Sequence, residues 1–302
     1  MAGSYDNPSL VLRVGVVGAI AVADDQRSSL RARLSDVFGV MAATLEKLSP
    51  LTDSAADVPE IAGWYDAPGA AMRPRDALST TAASAGPNPV LRVVSGLADG
   101  TDQIAFESVI AFEQAARSGV HSFAARTRVE LVAVLPCDAA SYRDNSAIEN
   151  KAAFDSLLER CDSVIELDGR CAPRAPDLET PDPLAREQRN RAFRVQSAVL
   201  LRQCDLLIAA ADPRAEGGVG GTRATLADAL ALEVPVVFIS CDPSEERHNG
   251  IALLGRLSDL ETTSACRGAH WRQDVEQAVT RILADPSAAR SGAPVNAHDA
   301  AL

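Results

Sequence analysis

Aromatic residues make up only 4% of this 302-residue chain, which holds seven Phe, three Tyr and two Trp. Proteins that hold single-stranded nucleic acid lay its bases on aromatic platforms, and few are available here. Basic residues are also short: 29 Lys and Arg against 41 Asp and Glu leave a net charge of −12. That balance argues against a nucleic-acid groove or an anionic membrane face as the main surface, so nucleic acid is not expected among the partners. Only four histidines occur (His121, His248, His270, His298), scattered along the chain, and no metal cluster or cofactor is expected. Six cysteines (Cys137, Cys161, Cys171, Cys204, Cys241, Cys266) stand singly with no CxxC pair. They are expected to act as small apolar residues, forming neither a zinc site nor a disulfide framework. No window approaches the roughly 20 apolar residues of a membrane span. The N-terminal "MAGSYDNPSLVLRVGVVGAI" has no basic region followed by a long apolar core. A soluble, cytoplasmic protein without a membrane partner is expected.

What the chain does have is a rhythm. Apolar runs of strand length recur: "VLRVGVVGA" (11–19), "VLRVVSG" (90–96), "VELVAVLP" (129–136), "SVIEL" (163–167), "DLLIAAAD" (205–212) and "VPVVFIS" (234–240). Continuous apolarity marks strands buried on both faces, as in a parallel sheet. Segments of helical spacing separate them, such as 24–48, 99–118, 148–161, 184–204 and 221–233. Strand and helix in alternation predict an α/β fold with a doubly wound, mostly parallel sheet.

Two stretches interrupt the pattern. Residues 49–89 are rich in Pro, Ala, Ser and Asp and read as an insertion, and 169–183 form a second Pro-rich loop. The expected division is a Rossmann-like domain over 1–245, then a helical extension and disordered tail over 246–302.

In open parallel sheets ligands bind beyond the carboxyl ends of the strands. The first strand ends at Gly18. The second leads into "SGLADGTD", where Ser95, Gly96, Asp99, Gly100 and Asp102 could bring backbone amides to an anion or cap a helix. The third leads into "SYRDN", offering Tyr142 to stack on a base, Arg143 for a phosphate and Asp144 for ribose hydroxyls. The fifth leads into "EGGVGGTRAT": Gly217, Gly218, Gly220 and Gly221, then Thr222 opening a helix. Exposed amides, the helix dipole and a hydroxyl make an anion cradle. The loop has no Walker lysine and comes late in the chain, against a nucleoside triphosphatase or an ordinary dinucleotide dehydrogenase.

At these loops the chain resembles the SLOG superfamily, which joins the SMF/DprA DNA-processing proteins to the LOG enzymes. The resemblance rests on "VVSGLADGTDQIA", "LVAVLPCDAASYRDN…FDSLLERC", "CDLLIAAADP" and "GGVGGTRATLADALALEVPVVFI", over roughly residues 11–241. It is similar to a bacterial branch with the pattern "SPLAEGADR…AVLPFPREEYEKDF…CDVLIALWDG…GGTAEIV", linked with sensing nucleotide-derived signals in anti-phage systems. The resemblance implies a modified Rossmann sheet and a pairing of subunits through helices, with 189–204 as the candidate surface for a homodimer. LOG enzymes cleave nucleoside monophosphates with the glutamate of PGGxGTxxE, and that position here is Thr225. Ala224 stands where the closer branch has an acid, and Arg223 favours phosphate. Gly18-Ala19 replaces that branch's glycine-histidine, and "AAADP" lacks the tryptophan of "LWDG".

The reading is therefore a binder or sensor of a nucleotide, ADP-ribose derivative or cyclic nucleotide, with no catalytic residue assigned and either a separate effector chain or oligomerisation as its output. Two alternatives stand beside it. One is a LOG-like phosphoribohydrolase in which Asp99, Asp102 or Asp144 replaces the glutamate. The other is DprA-like binding of single-stranded DNA.

Overall fold

In the computed structural model the described residues are 9–49, 88–118, 126–171, 183–214, 221–241, 250–256 and 270–284. The 49–89 insertion, the 169–183 loop and the tail fall largely outside them. So do Gly217, Gly218 and Gly220.

The strands are β1 (Val11–Gly18), β2 (Val90–Ser95), β3 (Arg128–Leu135), β4 (Ser163–Glu166), β5 (Leu206–Ala211), β6 (Val236–Ser240) and β7 (Ile251–Leu254). They form one sheet in the order β4-β3-β2-β1-β5-β6-β7, with every pair parallel except β6–β7. The expected α/β fold with a doubly wound, mostly parallel sheet is what the chain adopts. The helices among the described residues are α1 (Asp24–Leu48), α2 (Thr101–Arg117), α3 (Ala139–Arg143), α4 (Lys151–Glu159), α5 (Pro183–Arg202), α6 (Thr222–Ala231) and α7 (Trp271–Ala284).

Alternation along each strand divides the core into two layers. Val14 and Val16 of β1 and Leu206, Ile208 and Ala210 of β5 join the layer under α1, α2 and α7. Val17, Leu207 and Ala209 join the layer under α5 and α6. Both faces of β1 and β5 are thus buried, which is why these strands read as unbroken apolar runs.

β7 lies beyond residue 245 and extends the sheet, and Trp271, Val275 and Val279 of α7 are buried in the layer shared with α1. β7 was missed because four residues bounded by undistinguished sequence carry little periodic signal. One expectation is corrected: the cysteines are not all free, since Cys137 and Cys171 form a disulfide. Those residues follow β3 and β4, which are neighbours in the sheet. Their single spacing in sequence does not report that convergence. No described helix is long and apolar enough to cross a membrane.

Candidate functional site

The chain leaves β1 toward β2, β3 and β4 on one side, then crosses by α5 to β5 on the other side of β1. The loops after β1 and β5 therefore part in opposite directions, and a crevice opens between them. There lies a cavity of about 450 Å³. Gly18 and Ala19 at the end of β1 line it, as do Ala211, Asp212 and Pro213 at the end of β5. Phe193, Gln196 and Ser197 of α5 and Gly221, Thr222, Arg223 and Thr225 of α6 complete it, with Asp102 and Tyr142 reaching in from the β2 and β3 loops.

Among the described residues no side chain caps the start of α6, which Gly221 precedes in extended backbone (φ −86°). Its first ladder bond runs from the Thr225 amide to the Gly221 carbonyl at 3.1 Å. The amides of Thr222, Arg223 and Ala224 stand ahead of that ladder, at the positive end of the helix dipole.

The start of α2 is closed. The Thr101 amide donates to the Ala19 carbonyl at 3.0 Å and the Asp99 amide to the Ala147 carbonyl at 3.0 Å. Asp102 turns back to accept from the amides of Gly96 and Ala98 and from the Ser95 hydroxyl. Gly100 (φ +76°) sits so near the β1 loop that a Cβ there would stand 2.2 Å from the Ile20 carbonyl oxygen. The amides of Gly96, Ala98, Asp99 and Thr101 thus hold the loop together, the buried Thr101 hydroxyl has no hydrogen-bond partner among the described residues, and Gly96 packs on Gln196 and Asp102.

The floor of the cavity is lined by the buried polar side chains of Asp102, Tyr142 and Gln196. Tyr142 is fully buried, and its hydroxyl faces the Gln196 side chain without a hydrogen bond of good geometry. Its ring is wedged edge-on between Phe154 (5.8 Å) and Phe193 (6.2 Å), so no face of it is open to stack on a base. Burial pushes the phenol's pKa up, keeping it protonated as a donor. Burial also raises the Asp102 carboxyl to about 7, against the pull of its hydrogen bonds with Ser95, Ala98 and Gly96. The Gln196 amide donates to the Val134 carbonyl at 2.7 Å.

The remaining residues singled out from sequence lie elsewhere. Asp99 accepts from the Glu149 and Asn150 amides and from Gln103, and with Gly100 lines a separate hollow beyond the β1 loop. Arg143 pairs with Asp155 at 2.8 Å and Asp144 with Lys151 at 2.5 Å. The "SYRDN" segment is accordingly a helix turn capped by Asp138, and only its tyrosine reaches the cavity. Thr225, at the LOG glutamate position, is buried and donates to the Ser197 hydroxyl at 2.9 Å. Of the three carboxylates offered as replacements, Asp102 alone lines the cavity.

Sequence reasoning missed Phe193, Gln196 and Ser197. The signal was the spacing of 189, 193, 196, 197 and 200 along one face of α5, which separates the pocket side from the outer side.

No protein-family model matches the chain, and no curated protein matches it. Among solved structures it is similar to DNA processing protein A from Helicobacter pylori, a structure described for its single-stranded DNA binding mode. Identity is 11%, over 89% of this chain and 80% of that chain, with a TM-score of 0.39. That is a likeness of fold. That structure is described for binding single-stranded DNA, which stands against the expectation that nucleic acid is an unlikely partner, and that expectation is withdrawn. The physical reason is that net charge averages over the whole molecule, whereas α5 alone carries Arg186, Arg189, Arg191, Arg194 and Arg202 against one acid, Glu187. Two such helices pairing about a twofold axis would also bring like charges together.

Proposed function

We propose that the crevice between β1 and β5 binds a nucleotide through its phosphate, without cleaving it. The observation that carries this reading is a single cavity that joins the start of α6, uncapped among the described residues, to the buried hydroxyl of Tyr142 beside Gln196. The phosphate would meet the amides of Thr222 and Arg223, the Thr222 hydroxyl and the Arg223 guanidinium. A base or sugar ring would lie against Phe193 and Leu226, with the Tyr142 hydroxyl donating to it. The ring contact thus passes from Tyr142 to Phe193, and the anion cradle rests on α6 alone.

Binding without hydrolysis is supported by the carboxylates present. Opening a glycosidic bond calls for an ionised carboxylate free to face the sugar or a water. Asp102 is turned toward its own loop amides, and Asp212 accepts from the Arg214 amide at 2.8 Å. The SLOG resemblance agrees with a nucleotide ligand.

A nucleotide can arrive free or as one unit of a single strand, and the chemistry at α6 is shared. Calorimetric titration with AMP, ADP-ribose and a short thymidine oligomer tests the reading and separates the sources. Saturable binding of AMP or ADP-ribose, with no adenine or ribose released on long incubation, is the expected result for a free ligand. Binding of the oligomer alone assigns a strand. Release of adenine from AMP would replace the reading with a hydrolase.

A further inference from the structure

Seven arginines on other elements are paired: Arg13 with Asp205, Arg31 with Glu107, Arg92 and Arg128 with Glu130, Arg117 with Glu113, Arg143 with Asp155 and Arg272 with Asp36. The five on α5 have no carboxylate partner among the described residues. Two of these five share the pocket side of the helix. Residues 186, 189, 193, 196 and 197 follow the three- and four-residue spacing of one helical face, and 193, 196 and 197 line the cavity.

Direction then places Arg186 and Arg189 outside the mouth. As the crossover from β4 to β5, α5 begins at the carboxyl edge of the sheet and ends at the amino edge. At about 1.5 Å of rise per residue, Arg189 and Arg186 stand roughly 6 and 10 Å beyond Phe193 on that side. The first turn of α5 contains no acid. Arg186 lies in that first turn, where the helix dipole favours an anion.

We propose that Arg186 and Arg189 form a second anion subsite above the mouth of the cavity, so that the ligand carries at least two phosphates, one on α6 and one on α5. The inference rests on the nucleotide reading of the cavity and names the ligand more closely: a nucleotide with an oligophosphate tail, or one unit of a phosphodiester strand. Guanidinium forks suit either, since both present paired phosphate oxygens.

The test is titration of the full chain with AMP, ATP and a four-nucleotide thymidine oligomer at low salt, repeated on Arg186→Gln/Arg189→Gln. ATP or the oligomer should bind about tenfold or more tightly than AMP. The double variant should lose that gain while holding AMP within about twofold and unfolding at an unchanged temperature. Arg202→Gln, at the far end of α5, should change nothing, and Arg189→Lys should keep part of the gain. A gain for ATP alone identifies an oligophosphate, and a gain for the oligomer alone identifies a strand. Equal affinity for all three probes, or a full gain in the double variant, would overturn the subsite. ATP held through the two arginines in a protein that does not bind AMP would instead overturn the cavity reading.

Discussion

Gly18 and Thr101 interlock. A Cβ at Gly18 would stand 2.3 Å from the Thr101 hydroxyl oxygen, and the Thr101 amide bonds the carbonyl of the next residue, Ala19. The loops after β1 and β2 are thereby sewn into one wall of the crevice. An anion cannot enter between them.

Gly100 completes that seam, and Gly100→Ala should be costly. Its backbone (φ +76°, ψ −122°) is one that L side chains rarely adopt, and the new methyl would press on the Ala19 and Ile20 carbonyls. Backbone strain alone is worth about 1–3 kcal/mol. Chemical denaturation should show a loss of at least about 2 kcal/mol with the slope unchanged. A variant as stable as the parent would mean that the two loops are not closed on each other.

Asp102 should leave a mark on the pH dependence of stability. Its carboxyl titrates near 7 when folded because burial disfavours the charge, against 3.8 for the ordinary group. An acid whose folded pKa is raised binds its proton more tightly in the folded state. Its contribution is therefore full below pH 4 and declines as pH climbs toward 7. Asp102→Asn should remove this falling component, flattening stability between about pH 4 and 7 relative to the parent. Equal slopes in parent and variant would show that the carboxyl is ionised throughout.

Tyr142→Phe should separate folding from binding. The hydroxyl is buried without a hydrogen bond of good geometry, and losing such a group is neutral or stabilising by up to about 1 kcal/mol. AMP affinity should fall about tenfold, the worth of one buried hydrogen bond. A stability loss without an affinity loss would place the hydroxyl in the scaffold instead.

Gly221→Asp adds negative charge where the phosphate would sit. Gly221 is in extended backbone, which aspartate adopts without strain, so the fold should survive. Thermal stabilisation by AMP, which grows with ligand excess in the parent, should vanish. Persistent stabilisation would remove α6 from the site.

The strands that were legible are those buried on both faces, such as β1 and β5, whose runs of Val, Leu, Ile and Ala have no other plausible home. The glycine loops were legible as turns, but their roles were not. Nothing in "SGLADGTD" reports that Asp102 bonds the amides of Gly96 and Ala98, because that depends on how the loop folds back. Nor does "SYRDN" report that Arg143 pairs with Asp155 and that Tyr142 points inward. The tyrosine's fate is set by Phe154 and Phe193, residues of two other helices. α5 was visible as a helix, yet only its place in the topology separates the arginines above the mouth from those on the outer side.

The strand order has a mechanical consequence. The half of the sheet made by β1 to β4 and the half made by β5 to β7 meet along a single ladder, Val14–Gly18 against Leu206–Ala210. Whatever lodges in the gap at the end of that ladder grips both halves and acts as a clasp across the seam. Occupancy would then be felt by every element on either side, including faces far from the opening.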